Sequence, residues 1–285
     1  MHILTICNHK GGTGKTTSVV ALAAALQRSG QRVLVLDLDP QAFLTRLMGI
    51  AEPEEHESTL ALFDPSVQAS SIPLKTLSGF DIMPASLRLT DAMRTLTRPT
   101  DLYWISEALQ EIRGYDIIML DTAAAITPIS LNAIIASTAL LIPVTPEYLP
   151  VTGAEQTYHT LQTLKKRIGV NLNHVYFLLT NVWQQRGTHR RFVQYLRQKY
   201  FHKVLQTFIR TDTALAMTRA DGTNIYDHQP ESRGATDYTQ AANELSNLLG
   251  ITRQREHIAQ QPKLDAGTNE TDTQAQAFLD RLGST

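Results

Sequence analysis

A glycine-rich segment near the N-terminus constrains the fold of this chain more than any other feature. It reads NHKGGTGKTT over residues 8–17, and it separates the β-rich run His2–Cys7 from an Ala- and Leu-rich stretch, Thr16–Gln27, that predicts a helix. Glycines let successive backbone N–H groups turn inward around an anion, and the N-terminus of the following helix adds further donors. The segment therefore predicts a strand–loop–helix unit that binds phosphate.

The loop departs from the general phosphate-loop pattern GxxxxGK[ST] at its first position. Gly14, Lys15 and Thr16 match the end of the pattern, but His9 stands where the first glycine belongs. The pattern assigns the lysine to the β- and γ-phosphate oxygens and the threonine hydroxyl to Mg²⁺. Lys10 adds a second positive charge to the same loop, which calls for either a highly charged phosphate or a phosphate held by a second subunit.

Beyond the loop, apolar runs that are typical of buried strands alternate with helical patterns. Strands are predicted over Val33–Leu38, Phe80–Met83, Tyr115–Leu120, Ala139–Val144 and Val175–Thr180. Helices are predicted from Pro40 and over Asp101–Ile112, Val151–Ile168, Arg190–Tyr200 and Ala235–Leu249. This alternation predicts an α/β fold with a doubly wound, mostly parallel sheet flanked by helices. Such sheets bind ligands at the carboxyl ends of their strands, where Asp37, Asp39 and Asp121 lie.

Composition limits the class of protein. Hydrophobic residues make up 42% of the 285 positions and charged residues 19%, which excludes a wholly disordered chain. The single cysteine, Cys7, excludes a disulfide framework and any CxxC metal site built from this chain alone. No signal peptide and no run of the ~20 apolar residues that a bilayer span needs is visible, so we expect a cytoplasmic protein. We expect one domain over residues 1–250 and a polar, flexible tail over 251–285, in which 273–282 could form a short helix.

The net charge of −1 hides an uneven distribution. Residues 151–233 carry 12 Lys and Arg against 5 Asp and Glu, a balance of +7, and the remainder of the chain has a balance of −8. A positive segment on an acidic body is typical of a phosphate-binding face. A solvated helical surface explains the same charges equally well, so charge alone leaves both readings open.

Five segments together resemble a known family. KGGTGKTT at residues 10–17 resembles the deviant Walker A signature of the ParA/MinD family of P-loop ATPases. VLVLDLDPQ at 33–41 and IIMLDT at 117–122 resemble the second motif and the Walker B strand of that family. IPVTPE at 142–147 and SRGATDYTQAANEL at 232–245 resemble its partition branch, the ParA/Soj ATPases. The resemblance covers about residues 1–250, and the first segment is its most specific part.

The resemblance implies an ATP-dependent homodimer in which two subunits enclose two ATP molecules with Mg²⁺. Lys10 is then expected to reach the nucleotide of the partner subunit and to act in catalysis with Lys15 and Asp39, the last of which positions the attacking water. The implied nucleotide-binding residues are Lys10, Gly11, Gly12, Thr13, Gly14, Lys15, Thr16, Thr17 and, at the adenine pocket, Asn181. The implied Mg²⁺ site consists of Thr16, Asp37 and Asp121.

The resemblance also gives the basic segment a role. Partition ATPases bind double-stranded DNA without sequence preference when they hold ATP, and a ParB-type centromere-binding adaptor stimulates hydrolysis and release, so we expect a nucleoid-associated protein. Contacts of this kind go to phosphates and carry no base information. The candidate DNA-binding residues are Arg186, Arg190, Arg191, Arg197, Lys199, Lys203, Arg210, Arg219 and Arg233.

Other functions on the same fold stay open at this point. A MinD-like membrane-associated ATPase would use a basic amphipathic C-terminal helix, but here Asp280 nearly cancels Arg281. A ParA-like ATPase that positions a protein cargo, an iron–sulfur carrier and a metabolic ligase or kinase are further alternatives. The chain also departs from the family where Ala123-Ala124 replaces the usual Pro-Pro after the Walker B strand, and where Phe43 replaces a common Asn.

Overall fold

The computed structural model describes residues 1–169, 174–216 and 221–251, and within them eight strands form a single sheet. The strands are β1 His2–Ile6, β2 Val33–Leu38, β3 Lys75–Leu77, β4 Phe80–Met83, β5 Ile117–Thr122, β6 Ala139–Val144, β7 His174–Val182 and β8 Val204–Arg210. Their order across the sheet is β3-β4-β2-β5-β1-β6-β7-β8. Every pairing is parallel except that of β3 with β4. The predicted doubly wound α/β fold is confirmed.

Helices connect the strands and cover the sheet. The α-helices of the described residues are α1 Lys15–Arg28, α2 Phe43–Leu47, α3 Leu89–Thr95, α4 Trp104–Ala108, α5 Pro128–Ala136, α6 Tyr148–Ile168, α7 Gly187–Tyr200, α8 Thr213–Ala216, α9 Ile225–His228 and α10 Arg233–Leu249. Short 3₁₀ turns lie at Glu55–Glu57, Thr59–Phe63, Ala69–Ser71, Pro99–Tyr103 and Phe201–Lys203. No helix of this part of the chain is long and apolar enough to cross a membrane.

The central strands are apolar on both faces because helices cover both. Along β2, Val33 and Val35 pack with α1 and α10, whereas Leu34 and Leu36 pack with α3, α4 and α5. A third apolar cluster fixes α6 and α7 against β6 and β7. Alternate side chains of a strand point to opposite faces of the sheet, so they pack into separate cores. As a result, the carboxyl ends of β1, β2 and β5 lie side by side at one edge of the sheet.

Four helix predictions were wrong by three residues or more in their bounds, and two of them, those of α6 and α7, only because the helices begin three residues earlier than predicted. The helix predicted to open at Pro40 begins at Phe43, because the Asp39 carboxylate accepts the backbone N–H of Gln41 at 2.9 Å and holds Pro40 in a turn. The helix predicted over Asp101–Ile112 is a 3₁₀ turn followed by the shorter α4. Strands β3 and β8 and helices α3 and α5 had no prediction. The predicted tail, including 273–282, lies outside the described residues apart from position 251.

Candidate active site

The glycine-rich loop connects β1 to α1 at the carboxyl edge of the sheet. Gly12 and Gly14 have φ of +74° and +80°, a left-handed backbone that favours glycine. No described side chain caps the N-terminus of α1, and its first turn contains no acidic residue. No carboxylate or other side chain of the described residues therefore occupies the backbone N–H donors of this turn, and they can bind an external anion. Phosphate-binding loops use this arrangement.

The two lysines of the loop have different environments. Lys15 is buried, and its ammonium donates to the Lys10 carbonyl at 3.3 Å. Burial lowers the pKa of Lys15, and the nearby carboxylates of Asp121 and Asp39 partly offset that effect. The side chain of Lys10, by contrast, is exposed and forms no hydrogen bond or ion pair with any described residue. The fold thus points Lys15 into its own site and leaves Lys10 available outside it.

Residues from two distant elements hold the start of the loop, and no sequence pattern predicted their role. Asn8 donates to the carbonyl of Pro143, in β6, at 2.7 Å and accepts the Lys10 N–H at 3.0 Å. From α6, Thr157 accepts the backbone N–H of the residue that follows Asn8, at 3.1 Å. Gly153 lies so close that a Cβ there would come within 3.0 Å of the Lys10 Cβ. Helix α6 therefore fixes the position from which the Lys10 side chain departs.

Two buried carboxylates meet beside the loop. Asp37 and Asp121 are register partners on β2 and β5. Asp37 accepts the N–H and hydroxyl of Thr45 at 2.9 and 2.7 Å and the N–H of Asp39 at 3.1 Å. Asp121 accepts the Thr16 hydroxyl at 2.8 Å through Oδ2. Its Oδ1 is buried and has no hydrogen-bond partner among the described residues.

Burial makes this pair reluctant to ionise. Desolvation raises the pKa of Asp37 to about 6, and it also raises the pKa of Asp121, with the adjacent Asp37 carboxylate adding to the effect. An unpartnered buried oxygen beside a hydroxyl and a second carboxylate is the donor set that a hydrated Mg²⁺ prefers. The residues predicted for Mg²⁺ are thus together in space, and their chemistry fits the ion.

A cavity of about 320 Å³ adjoins the loop on the side of β7 and β8. The Thr180 hydroxyl, at one wall, donates to the Thr13 carbonyl at 2.9 Å and so ties β7 to the loop. Asn181 also lines the cavity, is exposed, and has a φ of +52°. Arg210 and Asp212 close the opposite side. The amide of Asn181 is therefore presented next to the phosphate loop.

The predicted DNA-binding residues do not form one cluster of equivalent side chains. Arg233 is exposed at the first position of α10, and Arg190 and Arg191 are exposed on α7. Arg219 lies outside the described residues. Arg210 differs from its prediction, because its guanidinium is held by Asp237 with a shortest N···O distance of 2.7 Å and faces the cavity. This ion pair leaves Arg210 to organise the cavity wall rather than to project from the surface.

Four large apolar side chains are exposed in segments that follow the carboxyl ends of β2, β5 and β6. They are Phe43, Ile126, Tyr148 and Leu149. The segment after β5 also contains Ala123-Ala124, and α5 then starts with a capping box in which Thr127 and Ser130 bond each other reciprocally. Exposed apolar side chains grouped at one edge are typical of a protein interface.

Comparison with known proteins agrees with this geometry. A family model described as an AAA domain matches residues 1–174. The sporulation initiation inhibitor protein Soj of Bacillus subtilis is 30% identical over 86% of this chain and 98% of its own length. The chromosome-partitioning ATPase Soj of Thermus thermophilus is 32% identical over 85% of this chain and 94% of its own.

A solved structure gives the same picture for the ligands. Cobyrinic acid a,c-diamide synthase from Mycobacterium smegmatis, crystallised with an ATP analogue and magnesium, superposes with a TM-score of 0.75 at 25% identity and covers 89% of this chain and 98% of that protein. Its ligands are those that the loop and the carboxylate pair predict, ATP and Mg²⁺. The predicted family is confirmed, and the chain belongs to the ParA/Soj family of P-loop ATPases.

Proposed function

We propose that this chain is a DNA-partition ATPase that closes into a dimer on ATP and Mg²⁺, binds double-stranded DNA as a dimer, and is released when an adaptor stimulates hydrolysis. The observation that carries the proposal is the pair of loop lysines. Lys15 is buried and bonded within its own loop, whereas the side chain of Lys10 is exposed and has no partner among the residues that the structure describes. A lone subunit needs only the first for its own phosphates. The second is explained by phosphates that belong to another subunit.

Within one subunit, the residues bind and orient the triphosphate. The loop N–H groups of residues 11–17 and Lys15 hold its oxygens, and the Thr16 hydroxyl together with Asp121 and Asp37 supplies the oxygen donors of the metal site. Mg²⁺, when bound, neutralises charge that develops on the phosphate oxygens. Asn181 offers an amide donor and acceptor to the edge of an adenine.

Between subunits, Lys10 supplies the charge that completes the site. Its backbone is fixed by Asn8 and by the close approach of Gly153, so the side chain leaves the loop from a set position. An ammonium that reaches the partner's phosphates stabilises transition-state charge as an arginine finger does. Asp39, buried next to this site, orients the attacking water. The apolar side chains of Phe43, Ile126, Tyr148 and Leu149 would be buried on closure.

The DNA-binding surface in this proposal is formed by exposed arginines outside the nucleotide site, with Arg233 as the main contact and Arg190 and Arg191 as further ones. Such contacts neutralise phosphates irrespective of sequence. A ParB-type centromere-binding protein would act as the adaptor, and the dimer would be cytoplasmic and associated with the nucleoid. Two alanines at 123–124 in place of two prolines remove a rigid backbone from the loop after β5.

The two lysines give the test. Lys10→Ala should keep nucleotide binding but lose ATP-dependent dimerisation and stimulated hydrolysis, whereas Lys15→Ala should lose nucleotide binding itself. Light scattering with ATP and with ADP measures the dimer, and fluorescence of a labelled nucleotide measures binding. A Lys10→Ala protein that dimerises with ATP as the unaltered protein does would refute the proposal.

A further inference from the structure

A groove of about 950 Å³ lies between α7 and β8 and shares no lining residue with the cavity beside the phosphate loop. One face of α7 forms a wall, with side chains at spacings of three and four residues along the helix. These wall residues are Arg190, Val193, Gln194, Arg197 and Gln198. A different face of α7 buries His189, Leu196 and Tyr200, so the helix is anchored independently of the groove.

The charged lining of the groove is cationic. Among the described residues that line it, Arg190 and Arg197 are charged, four glutamines and His202 are the other polar side chains, and no Asp or Glu is present. The side chain of Arg190 has no hydrogen bond or ion pair with any residue that the structure describes. Arg197 donates from Nη2 to the carbonyl of Gln206 at 2.8 Å, but its Nε is buried and lacks an acceptor in the described chain. Both guanidinium groups therefore have N–H donors left for an anionic partner.

The apolar part of the lining consists of Val182, Val193, Phe201 and Phe208. Val193 and Phe208 are half-buried on opposite sides of the groove, over the buried Val182. Phe201 closes one end and is 67% exposed. Its φ of +43° is in the left-handed region, which costs a non-glycine residue free energy and often marks a functional position. A strained and exposed phenylalanine beside apolar side chains indicates a surface that binds a partner.

The edge of β8 excludes one class of occupant. The backbone N–H groups of Gln206 and Thr207 donate to the carboxylate of Glu244, on α10, at 2.7 and 2.9 Å. The Gln206 carbonyl is taken by Arg197. A peptide that added itself as a further strand would need these same backbone groups. A helix, which satisfies its own backbone, has no such requirement.

We propose that this groove docks an acidic amphipathic helix of a partner protein, with apolar side chains over Val193 and Phe208 and carboxylates against Arg190 and Arg197. The two arginines are seven positions apart, two helical turns or about 10 Å, which a partner helix matches with carboxylates at i and i+7. An apolar floor between cations suits such a helix better than it suits a nucleic acid, whose backbone presents phosphates throughout. The proposal does not depend on nucleotide, but it shares Arg190 with the proposed DNA-binding surface, so the helix and DNA would compete for that side chain.

A synthetic peptide tests the proposal on the full chain. The probe is a fluorescein-labelled helical peptide with Glu at i and i+7 and Leu at i+3 and i+4, and its matched control has Lys in place of Glu. Fluorescence anisotropy should show saturable binding of the Glu peptide and none of the Lys peptide. Binding of both peptides with equal affinity, or of neither, would overturn the proposal.

Variants on α7 locate the contact. Gln198→Lys should tighten binding of the Glu peptide and Gln198→Glu should weaken it, and loss of folding cannot produce shifts of opposite sign. Arg197→Glu should weaken binding at least roughly tenfold, and Arg191→Glu, on the same helix but outside the groove lining, should change it less than about twofold. Circular dichroism of each variant checks that the helix content is kept.

Two other occupants would contradict the proposal and are visible in the same experiments. If a short DNA duplex binds through Gln198 and Arg197 while the Glu peptide does not, the groove is a nucleic-acid site. If the chain forms a nucleotide-independent dimer that Gln198→Glu abolishes, the groove is a contact between copies of this chain. Sedimentation velocity without nucleotide measures the second case.

Discussion

At the scale of single residues, the most consequential arrangement is the pair of buried carboxylates. Asp37 and Asp121 are side by side across β2 and β5. Burial raises the pKa of both, and the Asp37 carboxylate raises that of Asp121 further. A carboxyl whose pKa is higher in the folded than in the unfolded state holds its proton better when folded. Folding stability therefore falls as pH rises between the two pKa values, here from about 4 to about 6 for Asp37.

Asp121→Asn should stabilise the metal-free protein at neutral pH, by about 1–3 kcal/mol, because it removes a buried charge next to Asp37. The gain should shrink as the pH falls below about 6, where the unaltered pair takes up protons. Urea unfolding in EDTA at about pH 8 and about pH 5 measures it. The same variant should lose the extra stability that Mg²⁺ with ADP gives.

Asp116→Asn is the matched control for that measurement. Arg32 bonds the Asp116 carboxylate and lowers its pKa, so this substitution should destabilise the protein at neutral pH, with a sign opposite to that of Asp121→Asn. An Asp121→Asn protein that is less stable than the unaltered one in EDTA at neutral pH would show that the buried charge is already compensated.

At the scale of elements, α6 can pack closely against the phosphate loop because Gly153 has no side chain. Gly153 lies inside the helix, where glycine costs about 1 kcal/mol relative to alanine. A Cβ at this position would lie 3.0 Å from the Cβ of Lys10. Gly153 thus lowers the stability of the helix but allows the loop to approach it closely.

Gly153→Ala should separate the two quantities. Thermal stability should hold or rise, since helix propensity improves, while displacement of Lys10 by a few tenths of an ångström should reduce ATP hydrolysis about tenfold or more. A coupled-enzyme assay and a thermal melt measure them. Gln156→Ala, an exposed position of the same helix, is the control and should leave hydrolysis unchanged. Equal hydrolysis in both variants would mean that Gly153 does not set the position of Lys10.

Sequence reasoning reached the loop and the carboxylates because both follow from local signals. The glycines and lysines of residues 10–17 are contiguous, and Asp37 and Asp121 each end an apolar run, so parallel pairing alone brings them together. Gly153 and Thr157 could not be found in this way, because their roles depend on where a helix more than 140 residues from the loop packs. Arg210, in β8, was expected to contact DNA, because no local pattern connects it to its partner Asp237 in α10.

At the scale of the whole molecule, α10 connects the cavity beside the phosphate loop to the exposed Arg233. Asp237 holds Arg210 at the cavity wall, and Arg233, four residues earlier on the same helix, is exposed. The N-terminus of α10 is also bonded to the segment after β8, because Asp212 accepts the N–H of Gly234 at 2.7 Å. Movement of the cavity wall on nucleotide binding would therefore shift α10 and change the position of Arg233.

Binding of random double-stranded DNA in the presence of ATP should fall steeply with salt, because each neutralised phosphate releases counterions. Arg233→Ala should weaken binding and reduce the slope of log K against log salt by about 1. Fluorescence anisotropy over a salt series measures both. Arg94→Ala removes an exposed arginine outside the basic segment and should leave the slope unchanged. A flat salt response of the unaltered protein would exclude binding through phosphates.

Both outer strands of the sheet are closed to further pairing within the described chain. Strand β3 is three residues long and carries Lys75, which pairs with Glu57 at 3.5 Å. On the opposite side, carboxylates of α10 already bind the amides of Gln206, Thr207 and Arg210. Exposed strand edges are the usual route to uncontrolled aggregation, and short or charged edges suppress it. Both edges of the described sheet therefore disfavour growth by strand addition, so assembly of folded subunits through their other surfaces, which is reversible without unfolding, is favoured instead.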